Sequence, residues 1–531
     1  MADESATRAA RTVRPGARRW ATSWWGTLCL AGVAGGVLAF AFPPYDIWLL
    51  APLSLAALFV LVDLGTRHSQ TRRAAVTGAG AGAVFGLVFF GLLAPWLRVI
   101  GPDAYVLVVL ASLVFTSVFG AGAALLVRLP GWPVWLACWW VAVEGLRSRI
   151  PFGGFPWGRV GHSQVDAPTA AWVSVGGVPL LGFVVVLVAS MAAWAILAAA
   201  RRQAVGAAVV GLACCVLFMS ALVLPTPVDG RDVTVAVVQG NVPATGMDAF
   251  GRGEAVLNAH LEATHQLAED VRSGEAQAPD FVIWPENASD IDPSLDAGAF
   301  TSISDAVADI GVPVLVGLVV EVDGGERVAN QGTVWDPVTG PGQTYVKQNL
   351  VPFGEYVPLR DALEPIISRL DRIPRDFVAG SEPGVLRVGP TVVADAICFD
   401  VAYDATIRDA VAGGGEVITV QTNNATYGHT GQVEQQWAMS RLRAIEHGRS
   451  VIVASTSGIS GVISPDGSVI ARAPEFEQTV LDEVVTARTD ETLATRVGVW
   501  PEIVISGIGI CALLVAAASA SRRRRRGRIE A

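Results

Sequence analysis

Eight stretches of this chain are apolar over roughly the 20 residues that an α-helix needs to cross a bilayer. They lie near 24–42, 47–64, 75–96, 104–127, 132–146, 168–199, 204–224 and 501–520. Hydrocarbon offers no partner to a backbone N–H or C=O, so such segments fold there as helices and not as loops or open strands. The fifth is short and rich in Trp. The sixth is long enough to begin with an interfacial segment. The first carries no cleavage pattern of a secretory leader and reads as a retained span. Between the seventh and eighth lies 225–499, of ordinary globular composition. Averaging that stretch with the spans leaves a mean hydropathy of +0.47 and 16% charged residues. The chain therefore reads as a polytopic helical membrane bundle of about eight spans with one water-facing domain.

Arginine placement orients it. Arg8, Arg11, Arg14, Arg18 and Arg19 precede the first span, and Arg67, Arg72 and Arg73 follow the second. Arg128 follows the fourth, Arg201 and Arg202 the sixth, and a run RRRRRGR begins at Arg522 after the last. With eight spans all of these fall on one side, which the positive-inside rule makes the cytoplasm. The expected organisation is a basic tail 1–23, a membrane domain 24–224, an extracytoplasmic domain 225–499, a last helix 500–520 and a cytoplasmic Arg-rich tail 521–531. The outer domain holds 17 basic and 39 acidic residues, a net of −22, which does not suit nucleic acid. Directly after a span, the terminal arginine run fits an anchor at an anionic leaflet better than a nucleic-acid patch. Glu144 is an ionisable residue at the end of the fifth span, which marks it for attention. Snorkelling to the interface or pairing with Arg147 would explain it, and Arg147, Arg149 and Arg159 could meet lipid head groups.

The outer domain alternates β-branched runs with amphipathic stretches. VTVAVVQGN (233–241), FVIWPEN (281–287), VPVLVGLVV (312–320), TVVADAICFD (391–400), EVITVQTNN (416–424) and SVIVASTSG (450–458) read as strands. Helical spacing is expected over 253–274, near 297–310 and 404–413, and over 432–448, with a hairpin around Asp466-Gly467. Strand–helix alternation means a largely buried sheet with its reactive residues at the strand ends.

Three rare residues sit at such ends. Lys347 is the one lysine among 38 basic residues. Cys398 is the one cysteine of 225–499, while Cys29, Cys138, Cys214, Cys215 and Cys511 all fall in spans. Glu286 follows the strand-ending Pro285. A thiol attacks as its thiolate, a carboxylate can take its proton, and the tetrahedral oxyanion needs a positioned donor. A compact ammonium supplies that donor and also favours the thiolate; a planar guanidinium in its place would move the donor. Other candidates are weaker. His260 and His265 share a helix at a spacing of five, which suits packing better than metal ligation. Asn423 and Asn424 end a strand and could support the site or only its turn.

The order WPE, YVKQNLVPFGEYVP (345–358), ICFD, with the three reactive positions spaced 61 and then 51 apart in number, resembles the nitrilase superfamily with its Glu–Lys–Cys triad. The flanking spans and the LVPFGEYVP loop narrow the resemblance to the apolipoprotein N-acyltransferases, its integral-membrane branch. VVQGN (237–241), TNNATYG (422–428), QQWAMSRLRAIEHGR (435–449) and WVAVEGLRSRIPFGGFPWGRVGHSQ (140–164) are similar to that family too. The resemblance implies an α-β-β-α nitrilase-like domain, with Glu286 as general base, Lys347 as oxyanion donor, Cys398 as nucleophile and Glu355 as an additional essential carboxylate. It implies a ping-pong transfer of an acyl chain from a phospholipid to the N-terminal amine of a diacylglyceryl-cysteine, with no metal or organic cofactor. The runners-up are a membrane-anchored carbon–nitrogen hydrolase and a non-catalytic, lipoprotein-binding paralogue. Three positions depart from the family: Phe399 and Asp400 after the nucleophile, and Met247 near where the family often has Trp. These are expected to shape substrate contact.

Overall fold

The computed structural model describes residues 23–242, 253–365, 367, 370 and 373–529. Met247 lies outside the described residues. Among the described residues seven α-helices come first: α1 Trp24–Ala39, α2 Leu50–Thr66, α3 Thr71–Leu93, α4 Pro102–Leu126, α5 Trp132–Arg147, α6 Val173–Ala200 and α7 Ala204–Met219. After the outer domain a further helix runs over Trp500–Ile529, beyond the expected end near 520. Each apolar stretch is thus helical, but among the described residues five helices are long and apolar enough to cross a membrane: α3, α4, α6, α7 and the last. The α1 and α5 helices have 16 residues and α2 has 17. At 1.5 Å per residue that is about 24–26 Å, short of the roughly 30 Å hydrocarbon core.

The sixth stretch opens with a 3₁₀ turn over Ala170–Trp172 that runs directly into α6. Its helix α6 is also broken at Gly176 and Gly177. Gly177 sits at φ +72°, and a Cβ there would lie 2.7 Å from the Glu446 carboxylate. The break therefore requires glycine on both counts.

Among the described residues the domain between α7 and the last helix contains two six-stranded sheets. The first has the order β12-β1-β2-β3-β4-β5, from β1 Arg231–Gln239, β2 Phe281–Ile283, β3 Val314–Val322, β4 Arg327–Asp336, β5 Gly340–Val346 and β12 Thr479–Ala487. The second has the order β11-β10-β9-β8-β7-β6, from β6 Val385–Val388, β7 Thr391–Ile397, β8 Val417–Thr422, β9 Val451–Ser455, β10 Gly461–Ile463 and β11 Val469–Arg472. In each sheet the three central strands run parallel, as crossover connections require, and the outer ones are antiparallel.

Strand alternation builds the layers. Along β1, Val233, Val235 and Val237 point between the sheets and meet Val393, Ile397, Val417 and Ile452. Ala236 and Val238 point the other way, against α8 Gly253–Ser273 and α9 Ala297–Ile310. On the far side of the second sheet lie α10 Asp404–Ala412 and α11 Gly431–His447. The result is α-β-β-α. In the second helical layer α11 has almost no solvent face, because its Ala438, Leu442 and Ile445 pack into the core of the membrane bundle. That explains why 14 of the 17 residues of α11, charged ones included, are buried.

Buried charges at this junction are paired. Asp404 accepts from Arg159 at 2.7 Å and from Arg443 at 2.8 Å, and Arg443 also pairs with Glu446. Arg149 binds Glu502 of the last helix through two hydrogen bonds. Arg147 donates to the carbonyls of Phe155 and Trp157. The three arginines considered for head-group contact are thus engaged within the protein. Glu144 neither snorkels nor pairs with Arg147: it is buried, and its Oε1 accepts the Val160 N–H at 2.8 Å. The polar group that satisfies it lies in the 148–172 connection, which no local pattern near Glu144 signals.

Candidate active site

Glu286, Lys347 and Cys398 come from three segments that end at one rim of the sheet sandwich. β2 stops at Ile283, and Pro285, which has no N–H, prevents the ladder from continuing. The chain then turns across β3 at Gly317, where a Cβ would sit 2.1 Å from the Pro285 carbonyl. Lys347 directly follows β5, its N–H held by the Asn330 carbonyl at 2.9 Å. Cys398 directly follows β7 and opens a 3₁₀ turn over Cys398–Ala402 with φ +51°. For a residue with a Cβ this is a strained, left-handed conformation, and it persists only where the surroundings hold it.

Asp400 provides that hold. Its Oδ2 accepts from the Ile397 N–H at 3.2 Å and from Tyr345 Oη at 2.8 Å. Its Oδ1 accepts from the Asn349 backbone at 2.9 Å and side chain at 2.8 Å. The carboxylate is therefore an internal brace between the nucleophile turn and the lysine loop, and the expectation that it contacts substrate is corrected. A side chain two positions past the nucleophile points back under the 3₁₀ turn, not out of it.

The three reactive side chains are buried: Lys347 is 1% exposed, Glu286 5% and Cys398 7%. Lys347 Nζ donates to Glu286 Oε1 at 3.1 Å and to Glu355 Oε1 at 2.8 Å. Asn330 Nδ2 donates to Glu286 Oε1 at 2.6 Å, and the Asn423 N–H donates to Glu286 Oε2 at 2.7 Å. Glu355 Oε2 accepts the Val351 N–H at 2.7 Å. Glu355 is thus joined to the ammonium, not left as a solvated loop carboxylate. Asn423 contributes its backbone to Glu286, and Asn424 bonds Gln432 and Gln436 of α11. Gln436 in turn reaches Thr422 at 3.0 Å and the Cys398 carbonyl at 3.4 Å.

Charge and burial compete here. Burial alone would lower the Lys347 pKa, but the facing Glu286 and Glu355 carboxylates hold it well above the ordinary lysine value. Burial, and then the Glu286 charge, push the Cys398 thiol up to about 12. Lys347 pulls it down, as expected, but does not win. Cys398 therefore rests as a thiol with its proton on, and an attack by its sulfur would require a base to remove that proton. Alkylation of Cys398 by iodoacetamide should rise about tenfold per pH unit from 7 to 10, in step with the thiolate fraction. A plateau near neutral pH, read by peptide mass spectrometry, would contradict a protonated thiol.

Cys398 opens onto an apolar groove of about 1170 Å³ counted with its solvent-open mouth. One wall is α4 of the membrane bundle, through Leu107, Val108, Ala111 and Phe115. The other is formed by the 150–157 connection and by Val351, Pro352 and Phe353 beside Glu355. Phe399 lines the groove and stacks on Trp157, with ring centroids 5.9 Å apart.

His260 is buried away from this site. Its Nδ1 bonds the Val256 carbonyl and its Nε2 accepts the Gly240 N–H, and burial lowers its pKa to about 4. His265 pairs with Asp309 on the surface. Among the described residues no three metal-ligating side chains gather. Sequence reading missed Asn330, Tyr345, Asn349 and Gln436. The visible signal was polar residues inside strand-like runs, as in VANQGTVW.

The chain is similar to known proteins along most of its length. Residues 34–191 match the apolipoprotein N-acyltransferase N-terminal domain, and residues 234–508 match the carbon-nitrogen hydrolase family. An apolipoprotein N-acyltransferase of Mycolicibacterium smegmatis is 39% identical over 92% of this chain and 84% of that protein. One of Pseudomonas paraeruginosa is 31% identical over 92% and 96%. An amidase of the nitrilase superfamily from Nesterenkonia AN1 is 19% identical, with a TM-score of 0.37 over 50% of this chain and 94% of that one.

Proposed function

The chain belongs to the apolipoprotein N-acyltransferase family, and from that premise we propose that it moves a fatty acyl chain from a membrane phospholipid, through a thioester on Cys398, to the N-terminal amine of a diacylglyceryl-cysteine. One observation carries the reading most: the thiol that faces Glu286 and Lys347 lies at the end of an apolar groove whose other wall is a membrane helix. An acyl chain can stay in apolar surroundings from bilayer to nucleophile.

In the first half-reaction the Cys398 sulfur attacks the ester carbonyl while Glu286 takes the thiol proton. Glu286 is suited to this, because Asn330, Lys347 and the Asn423 N–H fix both its oxygens. The oxyanion meets Lys347, two of whose three N–H donors go to Glu286 and Glu355. The C–O bond breaks and the lysophospholipid alcohol leaves with the proton from Glu286. In the second half-reaction the amine attacks the thioester and a C–N bond replaces C–S. The amine's proton passes through Glu286 to the thiolate. Glu355 keeps Lys347 charged and ties it to the 351–353 groove wall.

The same reading puts 225–499 outside the cytoplasmic membrane and both termini inside it. The flanking arginines support that arrangement when all eight apolar helices are counted as crossings.

The test is intact mass spectrometry of the full chain in phospholipid nanodiscs. The expected result is a hydroxylamine-sensitive acyl adduct, discharged when a diacylated lipopeptide is added, with acyl-lipopeptide as product. Release of free fatty acid instead would make the enzyme a hydrolase. No adduct from any of several phospholipids would end the reading.

A further inference from the structure

One buried side chain joins the membrane bundle to the outer domain at the groove wall, and the reaction just described does not use it. Gln435, on α11, is 5% exposed. Its Oε1 accepts the indole N–H of Trp96 at 3.1 Å and of Trp157 at 2.6 Å. Its Nε2 donates to the carbonyls of Pro43 at 3.2 Å and Leu93 at 3.0 Å. Indoles only donate and carbonyls only accept, so these four partners fix the amide orientation and use its full capacity.

The four partners come from three separate parts of the bundle. Leu93 ends α3, where helix carbonyls lack intrahelical partners. Trp96 lies in the turn after α3, and Trp157 in the 148–172 connection. The two indoles lie 5.3 Å apart, and Trp157 stacks on Phe399, the residue after the nucleophile. The next residue of α11, Gln436, holds the Cys398 carbonyl. Two adjacent glutamines on one helix thus grip the groove wall and the nucleophile turn respectively.

We propose that Gln435 is a positioning residue that keeps the Trp96–Trp157 wall of the acyl groove in register with Cys398, so that acyl transfer from a bilayer lipid depends on it while transfer from a short soluble acyl ester does not. The inference rests on the acyl-transfer reading above. Its physical basis is the cost of leaving two buried indole N–H groups and two carbonyls without partners, which the wall relieves by moving. A long chain that threads the wall registers that movement. A two-carbon acyl group that reaches only the thiol does not.

The test compares thioester formation on the full chain in nanodiscs from phospholipid and from p-nitrophenyl acetate, for wild type, Gln435→Ala and Trp157→Phe. The last variant keeps an aromatic ring and removes one donor to Gln435. For Gln435→Ala the ratio of the phospholipid to the acetate kcat/KM should fall at least about tenfold, equivalent to about 1.4 kcal/mol. Most of the loss should lie in KM for phospholipid. Trp157→Phe should lower the same ratio by less, and the double variant should lose no more than Gln435→Ala, because both remove one interaction. An unchanged ratio, or equal losses with both donors, overturns the inference. If Gln435→Ala does not fold, an unchanged ratio in Trp157→Phe overturns it alone. No adduct on wild type from phospholipid, with acetate still accepted, overturns the acyl-transfer reading and this inference with it.

Discussion

Cys398→Ala is expected to fold, reach the membrane and carry no acyl group from phospholipid. The thiol is a minor part of a large apolar core between the sheets, among Val393, Ile397 and Val417. Removing one sulfur atom there leaves a small cavity, and alanine meets the same positive φ as cysteine, so the turn braced by Asp400 stays. The chemistry, by contrast, has lost the atom that forms the intermediate. Loss of a covalent nucleophile costs on the order of 10⁶ in turnover in a well-studied protease, and at least about 10⁴ is expected here. The five remaining cysteines lie in membrane helices, away from Glu286 and Lys347. Intact mass after incubation with phospholipid reads the result. An adduct that persists on Cys398→Ala, with unchanged product formation, would move the nucleophile elsewhere.

Lys347→Arg is expected to fold and to lose about 10²–10³ in kcat, the usual effect of removing one oxyanion donor. The charge survives this change, so the experiment isolates shape. The ammonium is 1% exposed and sits 3.1 Å from Glu286 and 2.8 Å from Glu355. A guanidinium is larger and planar, and its fork would bind one of the two carboxylates side-on. Either Glu286 moves from the thiol or Glu355 drags the groove wall at Val351. Overpacking of this kind costs about 1–3 kcal/mol, which leaves a folded protein. Lys347→Met should be worse for stability, because two buried carboxylates would then face each other without a cation. Stopped-flow thioester formation separates the cases, and near-normal acylation by Lys347→Arg would remove Lys347 from the oxyanion role.

Several parts of this molecule were legible before any fold was known. The apolar stretches became helices close to their expected limits. The strands at 281–283, 391–397, 417–422 and 451–455 fall within the runs that suggested them, and 314–322 extends two residues past its run. The strand Arg327–Asp336 was not legible, and the reason is chemical. Asn330 and Gln331 interrupt its apolar pattern because Asn330 faces Glu286 and Glu355. A strand that serves the site gives up the alternation by which strands are recognised. Asp400 was misjudged for the related reason that adjacency to a nucleophile in sequence does not give the direction of a side chain.

Side-chain chemistry and hydrophobic period are local properties, and they were enough for the helices, the strand–helix alternation and the three reactive residue types. Only the packed structure decided what those residues experience. Glu286 takes a hydrogen bond from a backbone N–H 137 residues away, and Gln435 reaches a carbonyl 392 residues away. The state of Cys398 depends on the balance of burial, the Glu286 charge and the Lys347 charge, and that balance runs opposite to what the lysine alone suggests. Such terms depend on distance and on how much water is excluded. Both are set where segments remote in the chain close on one another, so no stretch of sequence contains them.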